Sequence, residues 1–285
     1  MVSFANDEYF IYTRYLYNLT EVKQSLFLSL LEHDINESLF WAYEMHYSGH
    51  EDCLFNFINT LFNTIYISDN PELANYINSS NNEYKNTNNP EICGNIIATF
   101  CTRRYDLQYF CKTFLNCTGN QNHKRTKNNM IVKLSQTTIL KYQTDETTPH
   151  KYKILEKQCI YPIRKMYNDL FDICIPSFND TYQIYNYHWL YYANHSPIWN
   201  NRINLYNGIA DNDKKIIVFE DDDDLEEFYL KWQYDPDEQG WQVQSKSIGF
   251  NDDKQLSLKD FCNNYNFKVK FKIIKKELSN EFIPN

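Results

Sequence analysis

Side chains able to do acid–base or metal chemistry gather early in the chain, in "ESLFWAYEMHYSG" from Glu37 to Gly49. Trp41, Glu44 and His46 lie within it, and His50 follows directly. A carboxylate with two imidazoles is the donor set of a zinc or general-base site. The spacing is not that of H-E-x-x-H, however, and Gly49 is placed to end a helix between the two histidines. A shared ligand face is therefore not expected. The stretch reads as a seam between helices, with Phe40 and Tyr43 inside it and Glu44 and His46 at its polar margin.

The thiols invite a similar test. Cys93, Cys101 and Cys111 fall within one predicted helix and Cys117 directly follows it, and no pair in the chain has the C-x-x-C spacing. On one helix these spacings scatter the sulfurs around the axis, whereas structural zinc needs them convergent. They read as small buried hydrophobes.

Two further clusters bear on binding. "FEDDDDLEEF" carries seven acidic residues. Two-metal sites draw their carboxylates from separate segments, so a contiguous run is a solvated helix start or a docking surface for a basic partner. Asp221, Asp222, Asp223, Asp224, Glu226 and Glu227 are the candidate partner-binding residues. In "HWLYYANHSPIWNNRI", the planes of Trp189 and Trp199 with Arg202 could stack bases, as could Tyr191 and Tyr192. Lys124, Arg125 and Lys127 of "HKRTKNN" would then meet phosphate. The same aromatics also suit the core of a two-helix corner, and the basic run also suits a solvated loop. With only 6 Gly, and no P-loop, G-x-G-x-x-G or G-x-S-x-G, no phosphate cradle or nucleophile elbow is expected. The expectation is a chain that is not an enzyme and holds no cofactor and no metal.

The elements that must position these residues are mainly helical. Apolar spacing predicts helices from Thr20, from Asn36, and from about Glu51 to Asp69, each ended by polar or turn residues. A short helix should follow Pro71, a loop should cover Ser79 to Pro90, and a long helix should run from Glu91 to Asn116. Residues 1–117 thus form an array of antiparallel helices. Residues 118–158 read as an irregular linker with a hairpin in "NMIVKLSQTTILKYQ". Residues 159–285 read as α+β: a helix after Pro162, an aromatic helix ending near Ala193, and a second opened by Ser196 and Pro197 and stopped by Gly208. A strand in "KKIIVF", an acidic helix in "DDDDLEEFYLKWQ" and a strand in "FKVKFKII" follow. The fold class is mainly α with a small sheet.

Bulk properties fit this reading. The 285 residues are 42% hydrophobic and include 24 Tyr and 19 Phe, ample for a sizeable core. A net charge of −9 repels nucleic acid unless a basic patch is segregated, and it favours protein partners. No signal peptide or membrane span is expected, and reduced thiols in a cytoplasmic setting follow from that.

"ESLFWAYEMHYSG" resembles proteins of the mimivirus-like giant viruses, as does "HWLYYANHSPIWNNRI" together with "FEDDDDLEEFYLKWQYDPDEQ"; the Asn-, Tyr- and Ile-rich composition is similar too. The resemblance covers about a quarter of the chain and carries no catalytic residue with it. It implies a virus that replicates in cytoplasmic factories. The expectation that follows is a scaffold or adaptor subunit of a viral cytoplasmic complex. It would support transcription or translation initiation and contact viral or host proteins in the viral factory or the virion. An RNA- or nucleotide-binding module and a virion assembly protein are the alternatives.

Overall fold

Asn18 starts the first helix: its side chain accepts a hydrogen bond from Thr20 N at 2.8 Å, and α1 runs Leu19–Glu32. His33, in the left-handed region at φ 61°, closes it. Asp34 caps α2, Ile35–His46, by accepting from Glu37 N. Both caps lie two residues before Thr20 and Asn36, because the capping side chain must precede the first turn. These and all later details come from a computed structural model, which describes residues 10–122, 128–143, 149–164, 177–250 and 257–270.

Between residues 19 and 114 every element is a helix. α3, Glu51–Leu61, continues into a π turn at Phe62–Tyr66, and α4 spans Leu73–Thr87. α5, Pro90–Thr102, opens on the Asn89 cap and the preset φ of Pro90, and α6 covers Gln108–Phe114. α2 lies at the centre, packed on α1, α3 and α5. Its interior holds Phe40, Trp41, Ala42, Tyr43 and Met45. Full burial of aromatic side chains of this size contributes about 1.5–3 kcal/mol each.

Three local expectations give way to tertiary packing. The Asn-laden stretch after Ser79 is not a loop, because α4 continues to Thr87. Leu73, Ile77, Ser80 and Tyr84 recur at helical spacing on its buried side, and the Tyr84 ring meets Phe55 at 4.3 Å. That burial outweighs the weak helix propensity of Asn. The long helix expected from Glu91 to Asn116 is two helices, broken at Arg103, whose backbone is extended. There Asp106 N donates to Ile65 O at 2.7 Å and Asn70 Nδ2 to Arg104 O at 2.8 Å, so tertiary bonds replace helical ones. "NMIVKLSQTTILKYQ" forms no hairpin. Val132 N and Leu134 N instead donate to Thr99 Oγ1 and Asn95 Oδ1 of α5, and α7, Gln136–Leu140, follows.

The remaining elements are short. β1, Thr118–Gln121, precedes α7, and α8 covers Ile154–Gln158. α9 (Phe178–Tyr187), α10 (Trp189–Ala193) and α11 (Pro197–Asn204) follow, with Pro197 in the first turn as expected. β2, Ile209–Asp211, pairs antiparallel with β3, Ile216–Val218. α12 spans Asp222–Lys231, α13 Trp241–Ile248 and α14 Leu258–Asn264. β4, Phe267–Lys270, returns across the chain to pair antiparallel with β1, with Thr118 opposite Lys270. The fold is thus mainly α with two small two-stranded ladders. The helix expected after Pro162 lies outside the described residues. One hydrophobic core cluster extends from Phe10 to Phe267. Distant segments are also tied by hydrogen bonds: Trp199 Nε1 donates to Thr13 O at 3.1 Å, and Tyr17 Oη to Tyr161 O at 2.7 Å.

Candidate docking site and the buried polar core

Trp41, Glu44 and His46 point into the packed interior, with Trp41 and Glu44 at 0% exposure. The seam expected from the sequence is there, but Glu44 sits at its centre and not at its margin. Its Oε2 accepts from Arg14 Nε at 2.9 Å and its Oε1 from Tyr15 N at 3.0 Å. Arg14, also buried, lies 4.6 Å over the Tyr15 ring and 4.9 Å over the Tyr47 ring. Burial works against the Arg14 charge, but the adjacent Glu44 carboxylate overcomes it, and the guanidinium pKa ends above its ordinary value. Burial, and after it the Arg14 charge, pushes the His46 imidazole down to about 4. His50 stands past Gly49 at the start of α3, pushed down to about 4 by burial and Lys23. Arg14 and Glu44 are therefore engaged in holding each other and the Tyr15 backbone, which is a structural task.

A second charged knot was not anticipated. Arg164 Nε donates to Glu37 Oε1 at 2.8 Å, its Nη1 meets Glu32 Oε2 at 2.5 Å, and Glu37 Oε1 also accepts from Trp41 Nε1 at 3.0 Å. The two carboxylates raise the guanidinium pKa against the opposing effect of burial. No local pattern predicts such pairs, because the partners lie more than a hundred positions apart.

Trp189, Trp199 and Arg202 are brought together, but inside the molecule: their exposures are 6%, 0% and 3%. The Arg202 guanidinium lies 4.5 Å over Trp199 and 4.0 Å over Trp232, and Nη1 donates to Tyr234 Oη. Trp199 meets Trp189 edge to face at 5.4 Å and Tyr234 at 4.8 Å. Base stacking needs an open ring face, and here the chain's own rings cover them. Tyr191 and Tyr192 are buried as well. Trp232 and Tyr234, which complete the aromatic box, were not singled out from the sequence. Lys124, Arg125 and Lys127 lie outside the described residues.

The acidic run forms the start of α12, as expected. Asp221 Oδ1 accepts from Asp224 N at 2.8 Å, and Asp222, Asp223 and Asp224 occupy the first turn beside the positive end of the helix dipole. Phe228 faces inward against Phe219 and Tyr206. On the outer side a shallow groove of about 470 Å³ opens. Leu225 and Leu230 form its apolar floor, 40% and 57% exposed. Asp222, Glu226 and Asp235 ring it, Tyr152, Tyr229 and Gln233 complete it, and no Lys or Arg among the described residues lines it. Burial, then Glu238 and Asp237, raises the Asp235 carboxyl above its ordinary value, and burial with Asp235 and Asp237 does the same to the Tyr229 hydroxyl. The groove is thus a region of negative potential with unsatisfied apolar surface. Asp221, Asp223, Asp224 and Glu227 flank it without lining it. Sequence reasoning found the acids but missed the exposed leucines that line the groove with them.

The four thiols do not converge as a set. Cys93 Sγ lies against Pro90 O, and Cys101 Sγ against Asp34 O. No helix among the described residues is long and apolar enough to cross a membrane. No protein-family model, curated protein or solved structure matches the chain.

Proposed function

We propose that the chain is a non-enzymatic scaffold or adaptor subunit, and that its α12 groove holds a basic, leucine-bearing segment of a partner protein. The observation that carries this is the pairing of exposed Leu225 and Leu230 with Asp222, Glu226 and Asp235 in one groove that no Lys or Arg among the described residues lines. Apolar burial would supply affinity, and the carboxylates would steer a cationic segment and reject acidic ones. The aromatic and ionic core gives this helix a rigid seat, since Phe228 and Trp232 anchor its inner face at 0% and 3% exposure. The sequence resemblance to giant-virus proteins supports a role in a cytoplasmic complex serving viral gene expression or virion assembly, in the viral factory or the virion.

The test is fluorescence anisotropy with a labelled peptide alternating lysine and leucine. Binding should weaken as salt rises, because exposed charges are screened beyond about 8–10 Å. Leu230→Ala and Glu226→Lys should each weaken it about tenfold or more, the loss of about 1.4 kcal/mol expected of a contributing contact. A peptide bound equally well by both variants and the parent would overturn the groove. In infected cells, affinity purification should recover a stoichiometric partner that the Leu230→Ala variant loses; recovery of the chain alone refutes the adaptor role.

A further inference from the structure

Cys111, Cys117 and Cys262 meet where the early helices join the end of the chain. Their three sulfur atoms lie within 4.8 Å of one another, the one convergent group of three or more metal-ligand side chains among the described residues. The sequence concealed this. Cys262 is remote from the other two, and the four early thiols invite a grouping that the fold breaks up.

Each thiol is placed by a separate device. Cys111 projects from α6, fully buried, and Cys262 from α14 at 2% exposure. Cys117 is turned back toward Cys111 by Asn116, whose φ of 49° is a left-handed conformation that Asn tolerates. Leu115 N and Cys117 N both donate to Cys111 O, at 3.1 and 3.0 Å, closing the turn between the thiols. β1 then departs at once and pairs with β4, while α14 leads directly into β4. The ladder therefore ties the strand that follows Cys117 to the strand that follows the Cys262 helix.

We propose that Cys111, Cys117 and Cys262 form a three-thiolate site for one soft d10 metal ion, zinc or copper(I). Thiolates select such ions. With Zn–S bonds of about 2.3 Å, tetrahedral sulfurs stand about 3.8 Å apart, so thiols already within 4.8 Å need to close by no more than about 1 Å. A trigonal ion such as copper(I) is served by the three sulfurs alone, whereas zinc takes a fourth ligand on the partly exposed side of Cys117. Binding replaces three thiol protons with one ion, releasing the protons to solvent. The ion would clamp α6 and β1 to α14 and β4.

The experiment titrates the reduced full-length chain anaerobically with Cd²⁺ as optical probe, then with Zn²⁺ and with Cu⁺ as competitors. The expected result is a near-ultraviolet thiolate-to-metal band saturating at about one ion per chain, with about three protons released. Displacement by Zn²⁺ or Cu⁺ identifies the preferred ion, and that ion should raise the melting temperature reversibly to a chelator. Cys262→Ser should abolish the band and Cys93→Ser should leave it intact. Absence of the band in the folded, reduced parent overturns the proposal, as does an undiminished band in Cys262→Ser. Should that variant fail to fold, the parent's proton release and metal-dependent melting decide the matter.

Discussion

The fully buried Arg14–Glu44 pair shows what a single residue can decide. Glu44→Gln keeps the shape of the side chain but leaves the Arg14 charge without its carboxylate in a packed interior. Breaking a buried pair on one side costs about 3–5 kcal/mol, so a large fall in the urea midpoint is expected. A fall below about 1 kcal/mol would mean the pair contributes no more than an exposed one. His46 provides a second handle. Its pKa is depressed from the ordinary 6.5 to about 4, so below 6.5 the unfolded chain binds a proton that the folded chain refuses. Stability present above that value is lost as pH falls toward 4, by an amount on the order of 3 kcal/mol. Urea midpoints of the parent should drop across this window more steeply than those of His46→Gln, with the slope left in the variant due in part to His50. Parallel slopes would count against a neutral buried imidazole. Neither charged knot could be read from the sequence: Arg14 and Glu44 are 30 positions apart and carry no pattern linking them.

At the scale of elements, the packing of α5 on α2 turns on Gly94. A methyl group there would collide with Tyr43 Oη and stand 2.8 Å from Leu134 Cδ1. The Tyr43 ring cannot easily yield, because Tyr47 and Tyr142 stack beside it at 5.7 and 5.0 Å. Gly94→Ala gains about 1 kcal/mol of helix propensity but forces an overpacked contact costing about 1–3 kcal/mol. Net destabilisation by thermal melting is expected, and Tyr43→Phe in the same chain should recover much of it. A stabilised single variant would show that the interface has room. Elements were legible in the sequence where their signals are local. Pro197 at the start of α11 and the carboxylates opening α12 act within one turn, and both were read correctly. α4 beyond Ser79 and the break at Arg103 were not, since one depends on Tyr84 finding Phe55 and the other on Asn70 reaching Arg104 O. The proposed docking groove falls between these cases. Its acids announce themselves, but Leu225 and Leu230 become a floor only once Tyr152 and Asp235 close around them.

Across the whole molecule, contacts between remote segments are the rule. Thr13 with Trp199, Tyr17 with Tyr161, and Phe27 with Phe261 link the first thirty residues to segments far along the chain. Far-ultraviolet circular dichroism and tryptophan fluorescence should therefore report coincident urea transitions, and two separated midpoints would refute this coupling. The β1–β4 ladder carries a consequence for how the protein is made. β1 leaves the ribosome early, but its partner strand, opposite Thr118 at Lys270, emerges only after almost the entire remainder of the chain. At translation speeds of about 5–20 residues per second, that delay is roughly 10–30 s. Throughout it the backbone groups of β1 stand unpaired, open to a neighbouring nascent chain on the same messenger. Slow or stalled synthesis between the codons of Gln121 and Phe267 should therefore produce insoluble protein even when every residue is correct.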